Sequence, residues 1–169
     1  GSAGCALANR LSEDGRYTVA LIEAGPRDTS PWIHIPVGYF RTMGNPKMDW
    51  CYETQEDAGI ANRSIPWPRG RVLGGSSSIN GLLYVRGQAQ DYDGWAQMGC
   101  TGWSWSDVLP YFKRSETWEG VDQTGLRGKS GPLSVQNSRL TRDVVDKWVD
   151  AAVDAGYKRN PDYNGADQE

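Results

Sequence analysis

Histidine is nearly absent from this 169-residue sequence: His34 stands alone, which excludes a metal centre built on several imidazoles. Cysteine is scarce and scattered. Cys5, Cys51 and Cys100 are odd in number and far apart, with no C-x-x-C pair, so neither a disulfide scaffold nor a zinc module is encoded. Three buried or idle thiols in a reducing, cytoplasmic compartment are expected. No run of about 18 apolar residues exists, which excludes a membrane-spanning helix. Lysine and arginine number 18 against 21 aspartates and glutamates, a net charge of −3. Neither sign gathers in a block, and without a basic stripe no nucleic-acid partner is expected. The sequence opens without an initiator Met, so the absence of a signal peptide carries little weight, and it has no internal repeat.

Glycine is in excess instead, at 21 of 169 residues or about 12% against a usual 7%. It follows no Gly-X-Y period, which points to backbone pressed closely against something. The length is that of one domain, large enough for a real core.

The chain opens Gly1-Ser2-Ala3-Gly4-Cys5-Ala6-Leu7-Ala8-Asn9-Arg10-Leu11. Leu7 and Leu11 lie four apart, so a helix is expected from Ser2 to about Glu13, before Gly15. Thr18 to Glu23 is a nearly continuous apolar run, the pattern of a strand buried on both faces. A helix opened by Gly-x-x-Gly and a strand ending in an acid form the later part of a βαβ unit. Gly1 and Gly4 then match the second and third glycines of the G-x-G-x-x-G dinucleotide fingerprint, with Glu23 at the spacing of its acidic residue. Free N–H groups at a helix mouth suit a pyrophosphate, and Glu23 suits a ribose 2′-hydroxyl. Half a fingerprint is weak, however. Gly4 as an ordinary helix residue stands as the alternative, and the pattern does not separate FAD from NAD.

After Ala24-Gly25-Pro26 the chain is irregular up to Pro46. Met48 to Thr54 alternates and is aromatic-rich, as in a half-buried strand, while Ile65-Pro66-Trp67-Pro68 must be extended. Gly74-Gly75 followed by Ser76, Ser77 and Ser78 predicts a compact turn rich in donors, leading into a short apolar helix from about Ile79. Arg69, Arg71 and Arg86 either neutralise phosphate or make surface ion pairs.

Further on, Asp91 to Met98 reads as a helical turn and Gly99 to Trp105 as a loop, with Trp103 and Trp105 as packing anchors. Ser106 is expected to cap a helix through about Trp118, with Pro110 tolerated in its first turn or so. Glu119 to Ser130 reads as a polar, lid-like loop and Leu133-Ser134-Val135 as a strand. Thr141 is expected to cap a last helix ending at Gly156, its stripe of Val144, Val145, Trp148, Ala152 and Val153 forming core.

The segment Gly70-Arg71-x-Leu73-Gly74-Gly75-Ser76-Ser77-x-Ile79-Asn80, with Tyr84, Gly87 and Asp93 following, resembles the first signature of the glucose–methanol–choline (GMC) flavin oxidoreductases. The opening residues and Leu21-Ile22-Glu23-Ala24-Gly25 are similar to the family's N-terminal motif. Leu109 to Glu116, Gly131-Pro132-Leu133 and Asp162-Tyr163-Asn164-Gly165 resemble further landmarks in the family's order. In particular the chain resembles the choline dehydrogenase-like and bacterial alcohol dehydrogenase branch.

The resemblance implies an α/β fold with mixed α+β character, a partial FAD-binding Rossmann-like βαβ fold of the GMC type. Residues 1–169 would be an N-terminal FAD-binding domain, with the beginnings of a substrate domain after about residue 130. The first strand and the C-terminal substrate half would lie outside it, so the isolated chain is expected to bind FAD poorly and to expose apolar sheet surface. Gly1, Ser2, Ala3 and Gly4 would face the pyrophosphate, Glu23 and Ala24 the adenosine ribose, and Arg69 a phosphate. Val72, Gly74, Gly75 and Ser76 would follow the flavin with Asn80, Gly81, Leu82 and Leu83. Some relatives carry a covalent-attachment histidine just after the Val-Arg-Gly triplet; Gln88 stands there, which implies non-covalent FAD. The implied partners are a small-molecule alcohol and an electron acceptor. Family members pass a hydride from alcohol to flavin N5, using a base in the C-terminal half, so no catalytic residue is expected here. His34 matches no catalytic position of the family. A hydroxynitrile lyase-like relative that keeps FAD without redox turnover, and a non-catalytic nucleotide-binding module, stand as alternatives.

Overall fold

The computed structural model describes residues 1–168, which form two compact units, Gly1–Leu83 and Tyr84 onward. Helix α1 (Ser2–Ser12) opens the first unit. It ends as expected ahead of Gly15, whose φ of 69° breaks the helical path. The expected strand over residues 18–23 does not form; the segment joins no ladder, and Leu21 and Ile22 are exposed. A parallel strand is stabilised by neighbours on both sides, and none of the described strands pairs with it. Next come two short 3-10 turns, Pro31–Ile33 and Pro36–Gly38, and the four-residue helix α2 (Tyr39–Thr42).

Strands β1 (Tyr52–Glu53) and β2 (Pro66–Trp67) pair antiparallel, Tyr52 opposite Trp67 and Glu53 opposite Pro66. The strand expected over Met48–Thr54 is thus shortened, because Cys51 adopts φ 51°, a left-handed conformation that interrupts the pleat. The expected helix from Ile79 is also displaced. A 3-10 turn occupies Gly75–Ser78 and Ile79 ends it. The unit's buried apolar residues are Met48, Val72 and Ile79, with Ile33 packed against them.

In the second unit, helix α3 (Ala89–Gln97) precedes α4 (Trp105–Ser115), and β3 (Glu116–Trp118) runs parallel to β4 (Leu133–Val135). The cap of α4 is Ser104 rather than Ser106. Its hydroxyl accepts from the Asp107 N–H while Asp107 reaches back to the Ser104 N–H, a reciprocal capping box. Pro110 consequently falls in the second turn, and the helix gives way to strand at Glu116 instead of continuing to Trp118. Trp105 stacks on Tyr92 at 5.7 Å, as an anchor should; Trp103 meets Trp95 edge-on and stays half exposed.

Helix α5 (Asp143–Asp154) starts after Arg142, without the expected Thr141 cap, and its apolar stripe is not core. Val144 and Trp148 are 70% and 72% exposed, because no described element packs over them. The cysteines, expected buried or idle, are all free and exposed.

A charge cluster ties this unit together. Glu116 is fully buried and accepts from Arg86 Nη2 (2.6 Å), Arg127 Nη2 (2.6 Å) and the Gly128 N–H (2.8 Å). Arg127 also reaches Asp162 Oδ1 at 2.8 Å and lies over the Trp118 ring. The lid-like loop over 119–130 is therefore pinned from inside. Arg86, a candidate phosphate neutraliser in the sequence, is committed to Glu116, since a buried guanidinium needs a buried acid. Removing one member of such a set leaves an unpaired buried charge. Glu116→Ala should therefore lower unfolding stability by about 3–5 kcal/mol. A urea-midpoint comparison checks this, and a loss under about 1 kcal/mol would contradict it.

Candidate functional site

The first unit brings together three stretches that are far apart in sequence. The central one is Arg69–Ile79. Its approach is held by pairing to Met48–Trp50: the Trp50 N–H donates to Arg69 O (2.9 Å) and the Arg71 N–H to Met48 O (2.8 Å). Beneath it sits Asp49, only 2% exposed, whose carboxylate accepts from the backbone N–H groups of Gly44 (2.7 Å), Arg69 (2.9 Å) and Cys51 (3.0 Å). Burial pushes the Asp49 carboxyl up, but those N–H donors outweigh it and hold the group below its ordinary value.

The second stretch is Glu23–Pro26. Gly25 lies so close to the main chain of Arg71 and Val72 that a Cβ there would overlap the Arg71 carbonyl. The Leu73 N–H donates to Pro26 O at 2.9 Å, and the Gly25 N–H to Glu23 Oε1 at 3.0 Å. Glu23 is thereby fixed at the end of its segment, half buried, and Ala24 beside it is exposed.

The third stretch is the mouth of α1. Gly1 takes the N-cap position with no side-chain cap, and no acid lies in the first turn. Helix geometry leaves the N–H groups of Ser2, Ala3 and Gly4 without intrahelical partners, at the positive end of the dipole. This mouth abuts the Gly74–Gly75 turn: a Cβ on Gly75 would stand 2.8 Å from Gly1 N and 3.1 Å from Gly1 Cα. Two glycine motifs more than seventy residues apart thus share one wall.

The turn itself is held by its serines. Gly75 N–H donates to Val72 O (2.6 Å), Ser78 Oγ to Leu73 O (2.7 Å) and Ser77 Oγ to Gly74 O (2.6 Å). Ser76 Oγ accepts from the Gly70 N–H at 3.1 Å, which leaves its own proton to donate. Of the donor-rich cluster expected from the sequence, two hydroxyls are spent inside the turn and Ser76 keeps its proton. Val72 is 1% exposed and serves as core. Beyond Ile79, Asn80 Oδ1 accepts from the Leu82 N–H, Gly81 has open space about it, and Leu82 and Leu83 are exposed. Arg69 is exposed, stacked on Trp67 and bonded to Pro68 O. Arg71 donates to Pro46 O and leans over Trp50, while its buried Nε has no partner among the described residues.

His34 is exposed, its Nε2 2.6 Å from Asp28 O. Sequence reasoning missed Asp49 and Gly25. Asp49 lies within the alternating run Met48 to Thr54, and its three donors, Gly44, Cys51 and Arg69, include partners up to twenty residues away. Gly25 had a visible signal, a lone glycine directly after the strand pattern.

The uncapped mouth of α1, with no acid in its first turn and a glycine turn against it, offers free N–H groups that suit an anion. Residues 1–169 match the GMC oxidoreductase family throughout, and the chain belongs to that family. It is 48% identical over all 169 residues to an oxygen-dependent choline dehydrogenase of Brucella anthropi, covering 31% of that relative's length. Among solved structures, a pyridoxine 4-oxidase from Mesorbium loti superposes with a TM-score of 0.90 over 98% of this chain and 33% of its own, at 36% identity. An FAD-dependent oxidoreductase from Chaetomium thermophilum superposes at 0.74 over 89% of this chain and 27% of its own, at 34% identity. The mixed helix-and-strand fold expected from the sequence stands.

The depressed Asp49 carboxyl gives a pH test. A depressed carboxyl stabilises the fold above its unfolded value and loses that contribution as pH falls below about 3.8 toward the lowered folded value. At pH 7, Asp49→Asn should be less stable than wild type by about 1–3 kcal/mol, with the gap narrowing below pH 4. Urea midpoints between pH 7 and pH 2.5 check this. A gap that stays constant throughout would contradict it.

Proposed function

We propose that this chain is the FAD-binding portion of a flavin-dependent oxidoreductase that acts on CH–OH groups, with choline or a related alcohol as substrate. The carrying observation is the shared wall of Gly1 and Gly75, which sets a free helix mouth beside a donor-bearing turn. The donor chemistry fits the cofactor: uncapped N–H groups suit a pyrophosphate, and a fixed carboxylate suits ribose hydroxyls. The names of the relatives, an oxygen-dependent choline dehydrogenase, a pyridoxine 4-oxidase and an FAD-dependent oxidoreductase, support both the cofactor and the substrate class.

In this reading Gly1, Ser2, Ala3 and Gly4 hold the pyrophosphate through backbone N–H groups, and Arg69 adds charge from outside. Glu23 and Ala24 hold the adenosine ribose. Gly74, Gly75 and the Ser76 hydroxyl, with Asn80, Gly81, Leu82 and Leu83, line the flavin end, and Val72 supports the turn from the core. Bound FAD supplies an acceptor for the hydride of an alcohol. The chain's own residues bind and orient that cofactor and take no proton from the substrate, so no catalytic residue is assigned among them. Gln88, in place of an attachment histidine, supports non-covalent binding. Residues after about 130 begin the substrate part, and an electron acceptor is the second partner. Among the described residues no helix is long and apolar enough to cross a membrane.

The protein, expressed with its native flanking sequence, should purify yellow and release its flavin into solution on acid precipitation. Anaerobic choline or a related alcohol should bleach it. Colourless protein contradicts the cofactor assignment, and flavin that stays with the pellet contradicts non-covalent binding; cyanide release without bleaching favours the lyase alternative. Glu23→Ala should weaken FAD roughly ten-fold or more while leaving FMN, which lacks the adenosine ribose, unchanged. Equal effects on both flavins would contradict its role.

A further inference from the structure

Ser76 keeps its proton because its oxygen accepts from the Gly70 N–H at 3.1 Å. The direction of that proton therefore depends on what holds Gly70. The Gly70 N–H belongs to the same planar peptide group as the Arg69 carbonyl, so fixing one aims the other. The Arg69 carbonyl accepts from the Trp50 N–H at 2.9 Å. On the other side of residue 69, the Arg69 N–H donates to Asp49 Oδ1 at 2.9 Å. Arg69 is thus held at both of its backbone polar groups.

Asp49 is well placed for this. It stands opposite Gly70 in an isolated antiparallel bridge, and it is itself fixed by the Cys51 N–H on Oδ1 and the Gly44 N–H on Oδ2. Gly70 has no room to turn, since a Cβ there would overlap the Gly75 carbonyl and stand 2.6 Å from Ser76 N. A hydroxyl that accepts from a fixed N–H must swing its own proton away from that donor. Ser77 and Ser78 spend their protons on Gly74 O and Leu73 O instead. All of these groups lie within Gly1–Leu83.

We propose that Asp49 is a positioning residue for the flavin end of the cofactor, acting through the Arg69–Gly70 peptide to aim the Ser76 hydroxyl. This rests on the FAD reading above, in which Ser76 lines the flavin end while Gly1–Gly4 and Glu23 hold the ADP end. Asp49 is buried beneath the turn and acts through the main chain it pins. The Glu23 segment is held separately, by the Leu73 N–H on Pro26 O, and Arg71 keeps its own bond to Met48 O. The two ends of the cofactor therefore respond differently to loss of the carboxylate.

The test measures FAD and ADP affinities of the deflavinated protein carrying its native flanking sequence, by calorimetry. Ser76→Ala should weaken FAD about five-fold while ADP changes less than about two-fold. Asp49→Ala should weaken FAD at least as much, again sparing ADP. Added to Ser76→Ala it should cost less than about two-fold more, because both changes act on one hydroxyl. Asp49→Asn keeps an oxygen for the Arg69 and Cys51 N–H groups and loses the acceptor for Gly44. It should hold FAD within about two-fold of wild type although its fold is less stable. Additive losses from Asp49→Ala and Ser76→Ala, or equal losses for FAD and ADP, overturn the positioning role alone. If Asp49→Ala does not fold, the other two variants decide. Unchanged FAD affinity in Ser76→Ala, or an Asp49→Asn protein that loses FAD as strongly as Ser76→Ala, overturns the role. Failure of the wild-type protein to bind either ligand overturns the FAD reading and this inference with it.

Discussion

Backbone pressed against backbone is the constraint on which the first unit depends. At Gly25 and at Gly75 the main chain comes so close to another segment that any Cβ would collide. The first contact brings the end of the Glu23 segment onto Arg71 and Val72; the second brings the mouth of α1 onto the turn. Gly75, at φ 57°, also meets the conformational demand of the turn itself. Buried hydrophobic surface does little of this work, since the core cluster comprises Met48, Val72 and Ile79. The precision comes from hydrogen bonds: Asp49 gathering three N–H groups, and serine hydroxyls closing the turn from within.

The second unit uses charge where the first uses glycine. A fully buried glutamate facing two guanidinia is costly to desolvate and is tolerated only when its lone pairs are filled, as they are here. Its gain is geometric. Arg86, Glu116, Arg127 and Asp162 come from four separate stretches, and the set is complete in one arrangement. The family landmarks of this half, the Val-Arg-Gly triplet, the acid ending the α4 motif and the Asp-Tyr-Asn-Gly loop, therefore converge on each other.

Elements whose stability is local were legible in the sequence. Helix α1 follows from its leucine spacing and its glycine stop, and the extended Pro66–Trp67 segment follows from proline sterics. The strand over residues 18–23 was legible only as a pattern, because apolar residues specify a buried strand when partners exist to bury it. The stripe of α5 misled for the same reason, being correctly periodic and left uncovered. At the site, the glycine motifs were visible one by one, but their meeting was not. It is set by Gly25, Gly75 and Asp49, residues whose importance lies in distant partners. Which serine keeps a free proton was equally invisible, since it depends on the carbonyls each hydroxyl meets.

In the proposed FAD reading the Gly74–Gly75 turn, which lines the flavin end, also positions the α1 mouth that holds the pyrophosphate, because the two are in contact. The most direct measurement is the affinity of the Gly75→Ala protein for FAD and for ADP, with the unfolding midpoint followed in parallel. A methyl 2.8 Å from Gly1 N must push the helix mouth off the turn, so both affinities should fall by about ten-fold or more. Wild-type affinity for both ligands in a folded Gly75→Ala protein would contradict the claim.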